Sequence, residues 1–198
     1  MLILLAMILA LQFQELKSCV EEVRVGLLQF KEFIESEGCD SDHLFPSWSV
    51  TCNSSTGRVI QLSLNNTRKY IRCSYDSNWY VNLALFQPFV HLTTLDLSFN
   101  AIGGWTENQG GFGSYLRLKK LETLDLSQNN LNKSSLKQLS ALTSLKSLNL
   151  SGNNMGGKRV ELKYDDILHF DVELSVFESL EYLDLSSNAL QGSSSTAQ

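Results

Sequence analysis

The residues of this 198-residue chain with the means to do chemistry are a recurring carboxylate, three histidines, four cysteines and four Asn-x-Ser/Thr tripeptides. Asp96, Asp125 and Asp184 each follow a leucine at the same offset. They recur because a larger pattern recurs, so they do not form a pair placed for acid–base work. His43, His91 and His169 sit in unrelated contexts, and no nucleophile elbow or metal-binding pair accompanies them. His43 follows Cys39 by four residues, but no second close pair of ligands completes a zinc site. The run Gly103 to Gly113, GGWTENQGGFG, lacks the Gly-Lys-Ser/Thr ending of a phosphate loop. The chain is therefore expected to be no enzyme, and to carry no cofactor and no metal. Covalent decoration remains. Asn53, Asn65, Asn132 and Asn149 head the four glycan-acceptor tripeptides, and Cys19, Cys39, Cys52 and Cys73 are candidates for disulfides.

Those two chemistries need an oxidising, secretory compartment, and the N-terminus fits one. Met1 to Phe13, MLILLAMILALQF, is too short to span a bilayer and reads as the apolar region of a signal peptide over 1–18. No Lys or Arg precedes it. The alternative is a buried N-terminal helix, disfavoured because the cysteine-bearing segment begins directly after. The net charge of -5 gives a nucleic-acid partner no electrostatic support. Four cysteines allow three pairings, and their spacing does not choose among them.

The elements that position these residues come from one pattern repeated four times. The copies are Leu92-x-x-Leu95-x-Leu97-x-x-Asn100-x-Ile102, Leu121 to Leu131, Leu145 to Met155 and Leu180 to Leu190. Leu-x-Leu alternates, so it reads as a short strand with one apolar face. A single copy cannot bury its leucines, whereas stacked copies bury a continuous core. The pattern therefore predicts an α/β leucine-rich-repeat right-handed solenoid with one parallel sheet. The recurring Asn is expected to satisfy backbone groups where the chain turns. A fifth, earlier copy is expected at Val59-x-x-Leu62-x-Leu64-x-x-Thr67, with Thr in place of Asn. Strands are predicted near 59–64, 93–97, 122–126, 146–150 and 181–185. The Asn steps of 29, 24 and 35 residues put extra chain into Gly103–Gly113 and into a charged insert from Gly156 to about Val176, both expected to loop out.

Ahead of the repeats, Val20, Val23, Leu27, Phe30 and Ile34 form one stripe at helical spacing. The mixed charges opposite argue for a cap over the first repeat rather than a membrane-surface helix. Gly38 is expected to end that helix, with a loop over 40–48. Ser49 to Cys52 and Gly57 to Leu64 are expected to form a hairpin around 53–56, and 67–82 to be irregular. The expected map is a signal peptide at 1–18, an N-terminal cap at 19–58 that is helical and disulfide-bearing, repeats at 59–191, and a disordered tail at 192–198.

Taken together, these residues resemble a known family. Cys19-Val-Glu-Glu-x-Arg24-x-x-Leu27-Leu28-x-Phe30-Lys31, Phe45-Pro46-Ser47-Trp48, Val50-Thr51-Cys52 and Thr56-Gly57-Arg58-Val59-Ile60-x-Leu62 are similar to the cap of plant leucine-rich-repeat receptors. Trp79-Tyr80-Val81-Asn82-x-Ala84-Leu85-Phe86-x-Pro88-Phe89, with Ala101-Ile102-Gly103-Gly104-Trp105, resembles the opening of plant receptor-like proteins in particular. The resemblance implies an extracellular recognition domain without a kinase, membrane-anchored in full-length relatives. Three departures stand out. The Cys-Cys-x-Trp segment of the cap is missing between Trp48 and Cys52. The Gly-x-Ile-Pro element of plant repeats is absent. The chain stops soon after Leu190, so a truncated product, a partial gene model or a fragment is expected.

The leading functional expectation is a secreted or cell-surface module that binds a protein, peptide or glycan ligand, with a co-receptor as a further partner. The alternative is a secreted inhibitor like the polygalacturonase-inhibiting proteins. The binding face is expected on the concave side, at the positions flanking the strand leucines. These are Thr94, Asp96, Ser98 and Phe99; Thr123, Asp125, Ser127 and Gln128; Ser147, Asn149, Ser151 and Gly152; Tyr182, Asp184, Ser186 and Ser187.

Overall fold

The computed structural model describes residues 19, 21, 23–30, 32–33, 39–40, 48–67, 72–73, 78–106, 118–139, 141–156 and 177–189. The expected signal peptide, most of the charged insert, the residue Leu190 and the tail lie outside them.

The leucine pattern folds as its alternation dictates. Five strands, β3 (Val59–Ser63), β6 (Thr94–Asp96), β8 (Thr123–Asp125), β9 (Ser147–Asn149) and β10 (Tyr182–Asp184), fall on the five Leu-x-Leu segments. They pair in parallel and in register, with Leu62, Leu95, Leu124, Leu148 and Leu183 as successive partners. The leucines of the middle repeats are sealed: Leu95, Leu121, Leu126, Leu148 and Leu150 are each 0 % exposed. Leu180, Leu183 and Leu185 of the last described repeat are only partly buried. Among the described residues a repeat packs against them on one side only.

The sheet carries a sixth, antiparallel strand at its cap edge, β2 (Ser49–Cys52), which pairs with β3. This is the hairpin expected around 53–56. Asn53 Oδ1 closes its turn, accepting from the backbone N–H groups of Ser55 and Thr56, both at 3.0 Å. An antiparallel edge strand covers backbone groups that a parallel stack would leave open on that side.

The cap helix α1, within residues 19–33, turns its stripe inward as its spacing predicts. Phe30 is buried, and Val23, Leu27 and Phe33 pack partly buried beside it. Val20, Ile34 and Gly38 lie outside the described residues. Phe30 stands edge-on to Trp48 at 5.6 Å between ring centroids and 6.3 Å from Phe86. Phe33 meets Trp79 edge-on at 6.0 Å. Of the three possible pairings, the structure makes Cys19–Cys52, which ties α1 to β2. The backbones of Cys39 and Cys73 are register partners in the short antiparallel pair β1 (Cys39–Asp40) and β4 (Arg72–Cys73).

Sequence periodicity gave no hint of Gly26, which lets the helix dock. A Cβ built on it would lie 2.0 Å from Cζ of Phe89. Ordinarily alanine stabilises a helix interior over glycine by about 1 kcal/mol. Here the overlap with a buried ring dominates, and overpacking costs typically ~1–3 kcal/mol. Gly26→Ala is therefore expected to lower the melting temperature, whereas Gln29→Ala, on the exposed side of the same helix, leaves it nearly unchanged. Thermal unfolding of the two variants checks this.

Two expectations need correction. Residues 67–82 are not wholly irregular, and Gly103 to Trp105 does not loop out. β5 (Trp79–Val81) pairs in parallel with β7 (Ile102–Trp105) in a second, two-stranded sheet. The glycines are what permit it: a Cβ on Gly103 would collide with Asn78, and one on Gly104 would touch the Tyr80 ring at 3.3 Å. Trp105 then reaches the next repeat, its Nε1–H donating to Ser135 O at 2.9 Å. Residues 107–117 lie outside the described residues.

Candidate functional site: the exposed face of the sheet

Each strand is followed by a sharp turn, and the recurring Asn holds it from inside. Asn129 is 4 % exposed. Its Oδ1 accepts from the backbone N–H groups of Asn100 (3.0 Å) and Ile102 (2.9 Å) in the preceding repeat. Its Nδ2 donates to Leu97 O, Leu126 O and Ser127 O. Asn153 and Asn188 repeat the arrangement one and two steps on. At the first copy Thr67 takes this place with a single hydroxyl. It donates to Leu64 O and accepts from the Trp48 indole N–H at 2.9 Å.

Outside the turns lies the face expected to bind. Strand alternation sends the residues beside the leucines to solvent. In-register pairing aligns them into two rows. One row runs Gln61, Thr94, Thr123, Ser147, Tyr182; the other runs Ser63, Asp96, Asp125, Asn149, Asp184. Gln61 and Ser63 were absent from the sequence-based set, although the fifth leucine copy was the signal that could have placed them. Tyr182 is 56 % exposed, as is Phe99, which juts from the turn after β6 with φ at 59°. Gln128 and Ser187, at the equivalent turn position, are also exposed with positive φ.

The carboxylates do local work. Asp96 Oδ1 accepts from the Ser98 backbone N–H (3.0 Å) and hydroxyl (2.7 Å), while its Oδ2 accepts from Ser63 Oγ at 2.8 Å. Asp125 Oδ1 accepts from Ser127 N–H, and its Oδ2 from Asn149 Nδ2 at 3.1 Å. Neighbouring Asp96 and Asp125 thus turn their second oxygens away from each other, which eases like-charge repulsion along the row. Hydrogen bonds from the Ser186 backbone and side chain hold the Asp184 carboxyl below its ordinary range. Ser98 and Ser127 were expected on the binding face but are buried, at 5 % and 7 % exposure. They follow the strand leucines into the turn, where the chain leaves the alternation of the strand. Ser151 is half-buried beside Asn149, while Ser186 is exposed.

Gly152 holds the glycine-requiring turn of the third repeat, with φ at 64°. A Cβ there would lie 2.2 Å from Gln128 Nε2, so the Gln128 side chain lies across the space that this glycine leaves. Among the described residues no group of three His, Cys, Asp or Glu side chains converges to hold a metal ion. No helix among them is long and apolar enough to cross a membrane.

The stacked strands, sealed leucines and turn-holding asparagines define a leucine-rich-repeat solenoid. Family models described as leucine-rich repeats match residues 90–104, 113–155 and 179–197. The chain belongs to the plant leucine-rich-repeat receptor-like proteins. It is 38% identical to Receptor-like protein 9a of Arabidopsis thaliana over 192 residues, covering 94% of this chain and 19% of that protein. It is 35% identical to Putative receptor-like protein 8 of the same plant, covering 91% of this chain and 18% of the relative. The chain thus spans about a fifth of the length of these relatives. Among solved structures, the ectodomain of the Arabidopsis thaliana receptor kinase SOBIR1 aligns with 84% of this chain and 94% of its own, at 19% identity and a TM-score of 0.38.

Proposed function

We propose that this chain is a non-catalytic, extracellular recognition module that binds a protein, peptide or glycan ligand across the exposed face of its sheet. The observation that carries the reading is the unbroken double row of side chains on five in-register strands, with the exposed rings of Tyr182 on the end strand β10 and of Phe99 in the turn after β6. Such a face offers aromatic contact surface flanked by hydrogen-bonding groups, the mix that dominates binding energy at interfaces. Similarity to plant receptor-like proteins over most of the chain supports the extracellular setting.

The test is binding of the tagged, secreted chain to immobilised peptide and plant cell-wall oligosaccharide arrays. Thr123 lies in the centre of the first row, and Thr123→Trp would obstruct it. Lys119→Trp adds the same ring at an exposed position before β8. Features bound by the parent chain are expected to weaken at least tenfold with Thr123→Trp, about 1.4 kcal/mol, and to persist with Lys119→Trp. Equal behaviour of the two variants would overturn the assignment of this face.

A further inference from the structure

We propose that the fold sorts the four glycan-acceptor asparagines, so that Asn53 and Asn132 are glycosylated while Asn65 and Asn149 stay bare and the exposed sheet face is kept free of sugar. The inference rests on the extracellular reading above, since the modification belongs to the secretory pathway. In the reaction the side-chain Nδ2 bonds to C1 of an oligosaccharide carried on a lipid diphosphate. The C1–O bond to the diphosphate breaks, the lipid diphosphate leaves, and one amide proton is lost. The acceptor nitrogen and the hydroxyl two residues on must therefore both be within reach of the enzyme.

The four sites differ in what holds those groups. At Asn132 and Asn53 the side-chain contacts are local. Asn132 is exposed, and its Oδ1 accepts from the backbone N–H (3.0 Å) and hydroxyl (2.6 Å) of Ser134. Asn53 Oδ1 does the same with Ser55, at 3.0 and 2.7 Å, in a hairpin turn whose residues 54–56 are exposed. Asn149 forms the same local turn with Ser151, but its Nδ2 also donates to Asp125 Oδ2 on the adjacent strand. At the remaining site the hydroxyl is the captured group. Thr67 is 1 % exposed, donates to Leu64 O and accepts from Trp48 Nε1.

Chain order makes these contacts matter during synthesis, when the sugar is transferred. Asp125 precedes Asn149 by 24 residues, and Trp48 precedes Thr67 by 19. Each sequestering partner has already emerged when its target does. Neither Asn53 nor Asn132 is held by an earlier side chain among the described residues. The geometry of the sheet adds a second penalty at Asn149. Its register neighbours Asp125 and Asp184 lie one strand spacing away on either side, about 4.8 Å. A sugar there would cover both.

The experiment is site-resolved mass spectrometry of the full chain expressed in plant cells. Glycosidase release in isotopically heavy water marks each formerly occupied asparagine. Asn53 and Asn132 are expected to be occupied, with occupancy at Asn65 and Asn149 at least tenfold lower. Asp125→Ala removes the partner of Asn149 and is expected to raise occupancy there, with Asn132 unchanged as the internal reference. Occupied Asn149 or Asn65 in the parent chain overturns the inference. So does an Asp125→Ala chain in which Asn149 stays bare, or secreted material with no sugar at any site. A chain that never enters the secretory pathway overturns instead the extracellular reading on which this one stands.

Discussion

Replacing Asn129 with alanine is expected to lower the free energy of unfolding by about 2–6 kcal/mol, since it leaves two buried N–H groups without an acceptor and each costs ~1–3 kcal/mol. The side chain serves five backbone groups in two repeats. Without it, the N–H groups of Asn100 and Ile102 lose their acceptor at residues that are each 1 % exposed. The carbonyls of Leu97, Leu126 and Ser127 lose one donor each but keep another, from Asn100 Nδ2, Asn153 Nδ2 and the Phe99 N–H. Leu97, Leu126 and Leu131 beside the turn are themselves buried. Asn129→Asp is also expected to be costly. A carboxylate can accept from the two N–H groups, but it cannot donate to the three carbonyls, and its charge is buried. The adjacent Gln128→Ala, at an exposed position, is expected to change stability by no more than about 0.5 kcal/mol. Urea unfolding of the three variants, followed by circular dichroism, makes the comparison. An Asn129→Ala chain as stable as Gln128→Ala would remove the turn-holding role.

A second large loss is expected from Phe30→Ala, about 3–5 kcal/mol by the usual scale for buried aromatic truncation. Phe30 is 3 % exposed and touches rings from three directions: Phe33 on its own helix, Trp48 before β2, and Phe86 in the 3-10 turn Leu83–Phe86. Its removal opens the seam between α1 and the first repeat. The damage should therefore be local at first. Hydrogen exchange is expected to rise in β2 and β3 before it rises in β8 and β9, because each repeat is held mainly by its immediate neighbours. Uniform loss of protection across the sheet would show that the cap and the repeats unfold as one unit.

Much of this architecture was legible in the leucines and asparagines, because their spacing translates directly into stacked strands and turns. Thr67 was legible as a weaker substitute, and the structure shows why it suffices: Trp48 supplies a partner from the cap. The second sheet was not legible. Gly103 and Gly104 carry no alternation, and their partner strand is only the three residues Trp79–Val81. Their strand character comes from close approach of Asn78 and Tyr80, which only the absence of a Cβ allows. Gly26 was hidden for the same reason, since a helical stripe shows which residues face inward but not how near the neighbouring ring will come. The binding face was legible as alternating positions, yet Ser98 and Ser127 show where that rule expires. Beyond the last strand residue the chain curls inward, and period two no longer tells inside from outside. The disulfide pairing depended on how far the cap helix leans over β2, a long-range packing outcome with no local signature.

The asparagine ladder has a direction. Leu97 N–H donates to Asp125 O, Leu126 N–H to Asn149 O and Leu150 N–H to Asp184 O. Asn129, Asn153 and Asn188 likewise lend their side-chain oxygens backwards, to the repeat before each. A repeat is thus completed by its successor. On a ribosome working at about 5–20 residues per second, the 24 to 35 residues between successive asparagines take roughly 1–7 s to appear. For that interval the newest coil holds donors still waiting for their acceptors, and a chaperone or a neighbouring nascent chain can reach them. Growth of the solenoid is a moving front with one sticky end, and the pace of translation sets how long that end stays open.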